Sequence, residues 1–448
     1  FNSDGMLNNY KMERDAIRKY DKETPITTNL MGTYKGLDYF KWAKEMDIVS
    51  WDNYPSYNTP WSHVAMTHDL MRGLKDAPFM LMEQTPSQQN WQPYNSLKKP
   101  GQMRAQSYQT VAHGADTIQF FQLRRSVGGC EKFHGAVIAH AGTADTRVFR
   151  EVTQLGKELE KIGSRVMGSE NHAKVGIIFD WENYWALEYT SGPNCDLRYV
   201  DQIEQMYNYF YNKNIAVDMI PIDADFSKYD LVAAPVLYMV KDGVAESLEA
   251  YVQAGGTLIT TYMSGIVGQS DNVHLGGYPG PLRKMAGVWV EEIDALAPEQ
   301  RNKIRFADGT EEECRLVCDL MHLEGAEEIA QYENDFYAGM TAVAKNQFGK
   351  GTVYYVGTDL SESGLAKVLA MAADSAAIQP VIGEATALEI TKRQADGEDL
   401  YFIINFKDEE IPLPAVFDGK EDILTGEKVQ GGEMLKKYGL RIVSVPRA

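Results

Sequence analysis

A single carboxylate, Glu83, follows an unbroken low-charge run from Pro78 to Met82. Such a run is typical of a buried parallel strand, and the turn signal Thr85-Pro86 comes directly after it. Active sites of (β/α) barrels lie at the carboxyl ends of the strands, so a carboxylate at this point indicates catalysis. This pattern alone leaves open a glutamate that caps the next loop or pairs with an arginine.

Polar and aromatic residues also follow two neighbouring predicted strands. One strand ends in Trp51-Asp52-Asn53-Tyr54, and the other carries Phe121 and leads into Glu131-Lys132-Phe133-His134, while Trp91 lies in the loop after Glu83. Aromatic faces stack on the C–H surface of a sugar ring, and carboxylate, imidazole and amide groups bond its hydroxyls. Taken singly, Phe121 and His134 are more typical of a protein core than of a ligand contact, but the recurrence of such residues at one edge predicts a carbohydrate site.

A repeated βα framework is needed to bring these strand ends together. Residues 1 to about 163 alternate strand-like runs (26–30, 47–52, 78–83, 117–122) with helix-like runs (37–46, 66–74, 102–114, 152–162). A closed (β/α)8 barrel needs eight such units. The sequence therefore predicts the C-terminal half of a TIM barrel, with the other half expected before Phe1.

The rest of the chain predicts two further domains. Apolar runs at 175–179, 216–220, 231–234, 257–260 and 353–356, separated by helix-like segments, are typical of a doubly wound, flavodoxin-like α/β domain. From about Ile378 helical periodicity ends, and short strands with turns predict a small antiparallel β-sandwich. The predicted domains span residues 1–165, 166–377 and 378–448.

Composition excludes several classes of partner. The chain has 44 basic and 63 acidic residues among 448, a net charge of −19, which argues against nucleic acid. No apolar run reaches the ~20 residues that span a bilayer, and the lack of a signal pattern favours the cytoplasm. Cys314 and Cys318 are four residues apart, on one face if that segment is helical, but no further ligand completes a zinc set. We therefore expect ordinary thiols, and no metal or cofactor in this chain.

Several longer segments resemble one known family, the glycoside hydrolase family 42 β-galactosidases. They are residues 79–84 (FMLMEQ), 90–93 (NWQP), 100–104 (PGQMR), 131–136 (EKFHGA) and 275–283 (LGGYPGPLR). The resemblance covers essentially the whole chain. It implies a TIM barrel, a flavodoxin-like trimerisation domain, hence a homotrimer, and a small C-terminal β-domain.

The resemblance also implies roles for single residues. The family is retaining, and its nucleophile falls on Glu83. Its substrate contacts fall on four positions, with two weaker candidates: Trp91, Phe121, Glu131 and His134, then Asp52 and Tyr54. A nucleophilic carboxylate must be ionised, so we expect a hydrogen-bond donor beside Glu83, either Arg124 or Asn53.

Two departures from the family are visible. Leu123 stands where the family often has tryptophan, which would change the sugar site or its leaving-group side. The family's acid/base glutamate, in an Asn-Glu pair, and its zinc-binding cysteines belong to the other half of the barrel. Retaining hydrolysis needs two carboxyl groups ~5–5.5 Å apart, and we expect this chain to supply only the nucleophile.

The expected activity is therefore hydrolysis of terminal β-D-galactosides through a covalent intermediate on Glu83. Two alternatives stay open at this point. One is an α-L-arabinopyranosidase of the same family, because that sugar matches galactose apart from the hydroxymethyl group. The other is a truncated chain that contributes only sugar binding and oligomerisation.

Overall fold

The computed structural model describes residues 1–447, which form two compact units. The first unit contains Phe1–His172, the short segment Tyr211–Ala216 and the chain from Pro380 onward. The second unit contains Ala173–Phe210 and Val217–Gln379. Within residues 1–447, none of the helices has the length and apolar character that a membrane crossing requires.

The N-terminal part of the first unit alternates strands and helices as predicted. Its elements are α1 (Asn2–Ile17), β1 (Asn29–Leu30), α2 (Tyr39–Ala43), β2 (Ser50–Asp52), α3 (Trp61–Gly73), β3 (Phe79–Glu83), α4 (Gln102–Ala112), β4 (Ala115–Ile118) and α5 (Arg147–Val166). The strands form a parallel sheet in the order β1-β2-β3-β4. Helix α1 was not predicted, because its apolar positions are few and its buried face is narrow.

The fourth strand is shorter than the apolar run predicts. We expected strand 117–122, but β4 ends at Ile118 and Phe121 lies beyond it. The Phe121 amide donates to the carbonyl of Gln84 at 3.0 Å, so the chain stays close to the end of β3 without continuing the ladder. Phe121 is thereby directed to the carboxyl edge of the sheet.

The second unit contains a mixed sheet. Its elements are β5 (Val175–Ile178), α6 (Trp181–Tyr189), α7 (Tyr199–Asn212), β6 (Val217–Ile220), β7 (Leu231–Ala234), α8 (Val244–Ala254), β8 (Thr257–Thr261), α9 (Arg283–Ala286), β9 (Val288–Ala295), β10 (Asn302–Phe306), β11 (Glu311–Leu323), β12 (Glu327–Tyr332), β13 (Thr341–Phe348), β14 (Gly351–Val356), β15 (Thr358–Leu360) and α10 (Glu362–Ser375). The predicted strands β14-β8-β7-β5-β6 are parallel neighbours.

An antiparallel extension of this sheet was missed. Strands β9 to β13 pair antiparallel along the sheet beyond β14. Buried and exposed residues alternate along β10, which is typical of a strand with one solvated face, whereas β11 and β13 each contain a run of consecutive buried residues. Cys314 and Cys318 both lie on β11, so the helical alternative for this segment is wrong; both thiols are free and buried.

The C-terminal part of the first unit is antiparallel β-structure, as predicted. Its strands are β16 (Glu389–Ala395), β17 (Glu398–Ile404), β18 (Ile411–Pro412), β19 (Glu421–Asp422), β20 (Glu427–Lys428), β21 (Met434–Leu435) and β22 (Leu440–Pro446). Five of them form a sheet in the order β16-β17-β22-β19-β20, and β18 pairs with β21. One face of this sheet packs on α4 and α5 through an apolar core that includes Tyr108, Leu155, Leu400, Phe402 and Ile442.

A buried arginine joins the C-terminal sheet to the parallel sheet. Arg393 of β16 has no exposed side-chain surface. Its guanidinium donates to the carbonyls of Val111 at 2.8 Å and Ala115 at 2.9 Å, and to the Asp116 carboxylate at 2.8 Å. These bonds tie β16 to the end of α4 and the start of β4, where carbonyl groups keep lone pairs that the helix itself does not use.

A buried ion-pair cluster makes the second polar link. His113, directly after α4, lies 2.8 Å from Asp69 of α3 through Nδ1 and 3.3 Å from Glu389 of β16 through Nε2. Arg72 also contacts Asp69. Burial alone lowers the pKa of His113, but the charges of Asp69 and Glu389 outweigh it and raise the pKa to about 9.

This cluster predicts a loss of stability at alkaline pH. A histidine with a raised folded-state pKa contributes stability that is fully present below its unfolded pKa of about 6.5 and is lost as the pH rises through 9. We expect up to about 3 kcal/mol of the unfolding free energy to disappear between pH 7 and 10. Urea unfolding at a series of pH values measures this, and His113→Gln should remove most of the slope.

The control is His140→Gln, because His140 is exposed. This variant should keep the wild-type pH dependence. An equal alkaline slope in the wild type and in His113→Gln would contradict the assignment.

Candidate active site

The register of two parallel strands brings two carboxylates together. Strands β2 and β3 pair so that Asp52 stands opposite Glu83. The amide of Asn53 donates to the backbone carbonyl of Glu83 at 2.8 Å, which extends this pairing by one bond. Both side chains are half-buried at the carboxyl edge of the sheet. This edge is where (β/α) barrels carry their catalytic groups.

The Glu83 carboxylate has a tyrosine as its hydrogen-bond donor. The hydroxyl of Tyr54 donates to Oε2 of Glu83 at 2.8 Å. Our expectation of Arg124 or Asn53 as the donor was wrong: the Asn53 side-chain amide is buried without a hydrogen-bond partner among residues 1–447. Burial and the adjacent Glu83 charge raise the pKa of Tyr54, so it stays a donor at neutral pH.

Three aromatic side chains surround His134 beside Glu83. Trp91 stacks on the imidazole with ring centroids 5.2 Å apart and planes at 19°. Phe121 and Tyr54 meet the imidazole edge-on at 5.2 Å and 5.7 Å, and Tyr54 also meets Trp91 edge-on at 4.8 Å. The four rings form one contiguous wall that ends at the Glu83 carboxylate.

The protonation state of His134 follows from its surroundings. Burial lowers its pKa, so the ring is neutral at pH 7. Nε2 lies 3.1 Å from the Phe121 carbonyl, which can only accept, so Nε2 carries the proton. Nδ1 lies 3.3 Å from the Asn90 side-chain oxygen, which is also an acceptor, so a hydrogen bond between them forms only when the ring carries a second proton. The imidazole is held by the Phe121 carbonyl and has no exposed surface.

The other two predicted carboxylates lie at the rim of this wall. Glu131 is half-buried, its carbonyl accepts from the His134 amide at 3.0 Å, and its charge raises the pKa of both His134 and Tyr54. Burial raises the pKa of Asp52 to about 7 despite its hydrogen bond from Asn29, and the charge of Glu83 adds to this. All seven predicted site residues are therefore grouped at one edge of the sheet; their roles stay predictions.

Several supporting residues were missed by sequence analysis. Asn29 lies at the start of β1 and donates to Asp52, and the Asn90 side-chain oxygen lies 3.3 Å from Nδ1 of His134. Lys98 is buried and donates to the carbonyl of Thr85. Asn29, like Asp52, lies near the end of a predicted strand, so the pattern that identified Asp52 could also have identified Asn29. Lys98 had no such signal, because a lysine in a polar loop predicts an exposed side chain.

A glycine allows the loop that carries His134 to approach the loop after β3. The Gly135 amide donates to the Gln88 carbonyl at 2.8 Å. A Cβ at Gly135 would lie 2.6 Å from Thr85 Oγ1 and 2.9 Å from the Gln88 carbonyl oxygen. Only glycine fits this contact without moving one of the loops. No cluster of three or more His, Cys, Asp or Glu residues that could hold a metal ion occurs within residues 1–447.

Three family models match the chain in sequence. They are described as β-galactosidase (residues 1–162), β-galactosidase trimerisation domain (173–379) and β-galactosidase C-terminal domain (387–444). A β-galactosidase of Planococcus sp. strain SOS Orange is 52% identical over 99% of this chain. The chain belongs to the glycoside hydrolase family 42 β-galactosidases. The resemblance stated from the motifs is thus confirmed.

Solved structures of family members agree with this assignment. The β-galactosidase of Bacillus circulans sp. alkalophilus superimposes with a TM-score of 0.96 at 49% identity over the whole chain. The enzyme from Rahnella sp. R3 gives 0.93 at 39% identity. Both matches cover 67% of the other chain, and a β-galactosidase of Lactobacillus acidophilus, 52% identical, is covered over 64% of its length. The chain spans about two thirds of the relatives that it matches.

The contact at Gly135 predicts that alanine there is destabilising. The added Cβ must push the His134 loop away from Thr85 and Gln88, and overpacking of this kind costs about 1–3 kcal/mol. Urea unfolding of Gly135→Ala measures the loss.

Gly128→Ala is the matched control in the same loop, because a Cβ there would meet nothing within 4 Å. It should stay within about 0.5 kcal/mol of the wild type. A Gly135→Ala protein as stable as Gly128→Ala would mean that the two loops do not need this close approach.

Proposed function

We propose that the protein hydrolyses terminal β-D-galactosides with retention of configuration, and that Glu83 is its nucleophile. The observation that carries the proposal is the position of Glu83 at the end of β3, bonded by Tyr54 and bordered by the aromatic wall of Trp91, Phe121 and His134. The family membership supports the same substrate class, because the matched relatives are named β-galactosidases.

Tyr54 prepares Glu83 for attack. Its hydroxyl binds Oε2 and leaves Oε1 as the oxygen that bonds to the anomeric carbon. As this bond forms, the bond to the leaving-group oxygen breaks, and that oxygen takes the electron pair and a proton from the acid catalyst. Water then attacks the anomeric carbon of the glycosyl-enzyme, gives up a proton to the same catalyst and releases Glu83.

The sugar hydroxyls bind to polar groups on either side of Glu83 in this proposal. Glu131 and His134 bind hydroxyl groups, and Trp91 and Phe121 cover apolar faces of the ring. Asp52 lies beside Glu83, and with a pKa of about 7 it can donate or accept. Because the site carries several carboxylates, a neutral sugar suits it and an anionic one does not.

We place the acid/base glutamate outside these 448 residues, in the other half of a closed (β/α)8 barrel. Within residues 1–447, β1 pairs only with β2 and β4 only with β3, whereas a closed barrel has no edges. The 64–67% coverage of the relatives leaves room for the missing strands. No glutamate of this chain takes the acid role, and no cofactor or metal of this chain takes part.

The assembly and location are also proposals. The match of residues 173–379 to a trimerisation domain supports a homotrimer. A cytoplasmic location stays a prediction.

The nucleophile is tested by trapping it. The complete natural polypeptide is incubated with a 2-deoxy-2-fluoro-galactoside that has an activated leaving group, which departs with little help from an acid. We expect one equivalent of fluorogalactosyl on Glu83 by intact mass and peptide mapping. Glu83→Gln should remove the label, and Glu160→Gln, an exposed glutamate of the same unit, should keep it.

The same reagents separate the alternatives. A label on another residue would overturn the role of Glu83. If neither the complete natural polypeptide nor the 448-residue chain is labelled, the result would favour a non-catalytic chain. A higher kcat/KM on nitrophenyl α-L-arabinopyranoside than on nitrophenyl β-D-galactopyranoside would favour the arabinopyranosidase. Labelling of the longer polypeptide but not of the 448 residues would support the half-barrel proposal.

The hydrogen bond to Glu83 generates a second prediction. Tyr54→Phe keeps the ring contacts but removes the donor, and a hydrogen bond to a charged group contributes about 1.5–3 kcal/mol. We expect kcat to fall roughly 10- to 100-fold with nitrophenyl β-D-galactopyranoside. Tyr10→Phe is a control for loss of a tyrosine hydroxyl, because its hydrogen bond goes to the Ile26 carbonyl, away from Glu83. Equal kcat values for Tyr54→Phe and the wild type would contradict the role of Tyr54.

A further inference from the structure

Two loops that leave the active-site edge carry matching pairs of aromatic residues. The loop after β2 carries Tyr54 and Tyr57, and the loop after β3 carries Trp91 and Tyr94. The inner pair, Tyr54 and Trp91, meets edge-on with centroids 4.8 Å apart. The outer pair, Tyr57 and Tyr94, also meets edge-on, at 5.9 Å and 90°. Each outer residue comes three positions after its inner partner.

Hydrogen bonds between and within the loops fix this arrangement. The Gln89 side-chain amide donates to the Pro55 carbonyl at 2.7 Å and ties the two loops together. Within the first loop, the Thr59 amide donates to the Ser56 carbonyl at 3.2 Å, around Tyr57. In the second, the Asn95 side chain bonds the amide and the carbonyl of Gln92, around Tyr94. Both outer tyrosines are thus presented by ordered turns, which lowers the entropy lost on binding.

The exposure of the rings increases away from the nucleophile. Tyr54 is half-buried against Glu83, Trp91 is 51% exposed, and Tyr57 and Tyr94 are 64% and 68% exposed. Three residues of chain span at most about 10 Å. The outer pair therefore lies next to the inner pair on its solvent side, within reach of a group joined to the sugar that the inner pair binds.

The two perpendicular rings of Tyr57 and Tyr94 are suited to binding a pyranose sugar. One ring presents its face to the apolar C–H surface of the sugar, and the other closes one side of it, while both phenol hydroxyls stay available to sugar hydroxyls. Neither tyrosine belongs to the hydrophobic core, since both are well exposed. Large aromatic residues kept at the surface beside an active site mark a binding surface.

We propose that Tyr57 and Tyr94 form the subsite for the leaving-group sugar, so that the preferred substrates are galactosides whose leaving group is itself a pyranose. This inference rests on the proposed β-galactosidase function. The bond that breaks lies at Glu83, the galactosyl unit lies against Trp91 and His134, and the second sugar lies on the outer tyrosines.

The test compares two substrates in the complete natural polypeptide. Lactose has a glucose leaving group and methyl β-D-galactoside has only a methyl group, while both need the same acid catalyst. We expect Tyr57→Ala and Tyr94→Ala each to lower the ratio of kcat/KM for lactose to that for methyl β-D-galactoside by roughly fivefold, the effect of one lost aromatic contact. The Phe variants should keep at least half of the wild-type ratio, because the ring remains.

Tyr20→Ala is the matched control. Tyr20 is 92% exposed and lies between α1 and β1, toward the amino edge of the sheet, so its variant should keep the wild-type ratio. Normal labelling of Glu83 by the fluorogalactoside shows that each variant is folded. A lactose to methyl ratio within twofold of the wild type in both Ala variants, or an equal loss in the Phe variants, would overturn the proposal. No hydrolysis of either galactoside by the wild type would instead overturn the proposed function.

Discussion

Helix α4 is buried on every side, and the first unit is organised around that constraint. Every residue from Ala105 to Ala112 is buried between the parallel sheet and the C-terminal sheet. A helix in this position has no solvated face, so its polar side chains must find partners within the protein. Ser107 accepts from the Gln84 side chain at 2.8 Å, directly after the proposed nucleophile. Two residues further along the helix, Gln109 donates to Glu389 of the C-terminal sheet at 2.8 Å.

The small C-terminal sheet is therefore part of the support of the active-site edge. Arg393 satisfies the carbonyls at the end of α4 and the start of β4, and the His113 cluster joins α3 to β16. Because a buried charge that loses its partner costs several kcal/mol, these links hold the helix in one position. That position fixes Gln84, and Gln84 in turn accepts the Phe121 amide through its carbonyl. The C-terminal sheet thus supports the aromatic wall beside Glu83 through α4, without contacting the wall itself.

Sequence patterns predicted the parts of the fold that local physics determines. The strands β2 and β3 and the parallel strands of the second unit are short apolar runs, and these were found. The antiparallel strands β9 to β13 were missed, because their mixture of charged and apolar residues was not separated from the helix-like segments between buried strands. Helix α1 was missed because few of its residues are buried. The early end of β4 depends on the hydrogen bond from Phe121 to Gln84, which no local pattern encodes.

In the candidate site, the sequence identified residues that the structure groups at one edge, but not those that hold them there. Glu83 and Asp52 could be found because carboxylates at strand ends share one edge, and Trp91, Phe121, Glu131 and His134 because the motifs resemble a family. Our prediction of the donor to Glu83 was wrong because we expected a charged or amide group. The donor is the phenol hydroxyl of Tyr54, which adds no charge. Asp52, Glu83 and Glu131 give this edge a negative field, and buried Lys98 donates to the Thr85 carbonyl. A cation beside Glu83 would weaken its attack by holding its lone pairs, whereas Tyr54 orients one oxygen and leaves the other free to react.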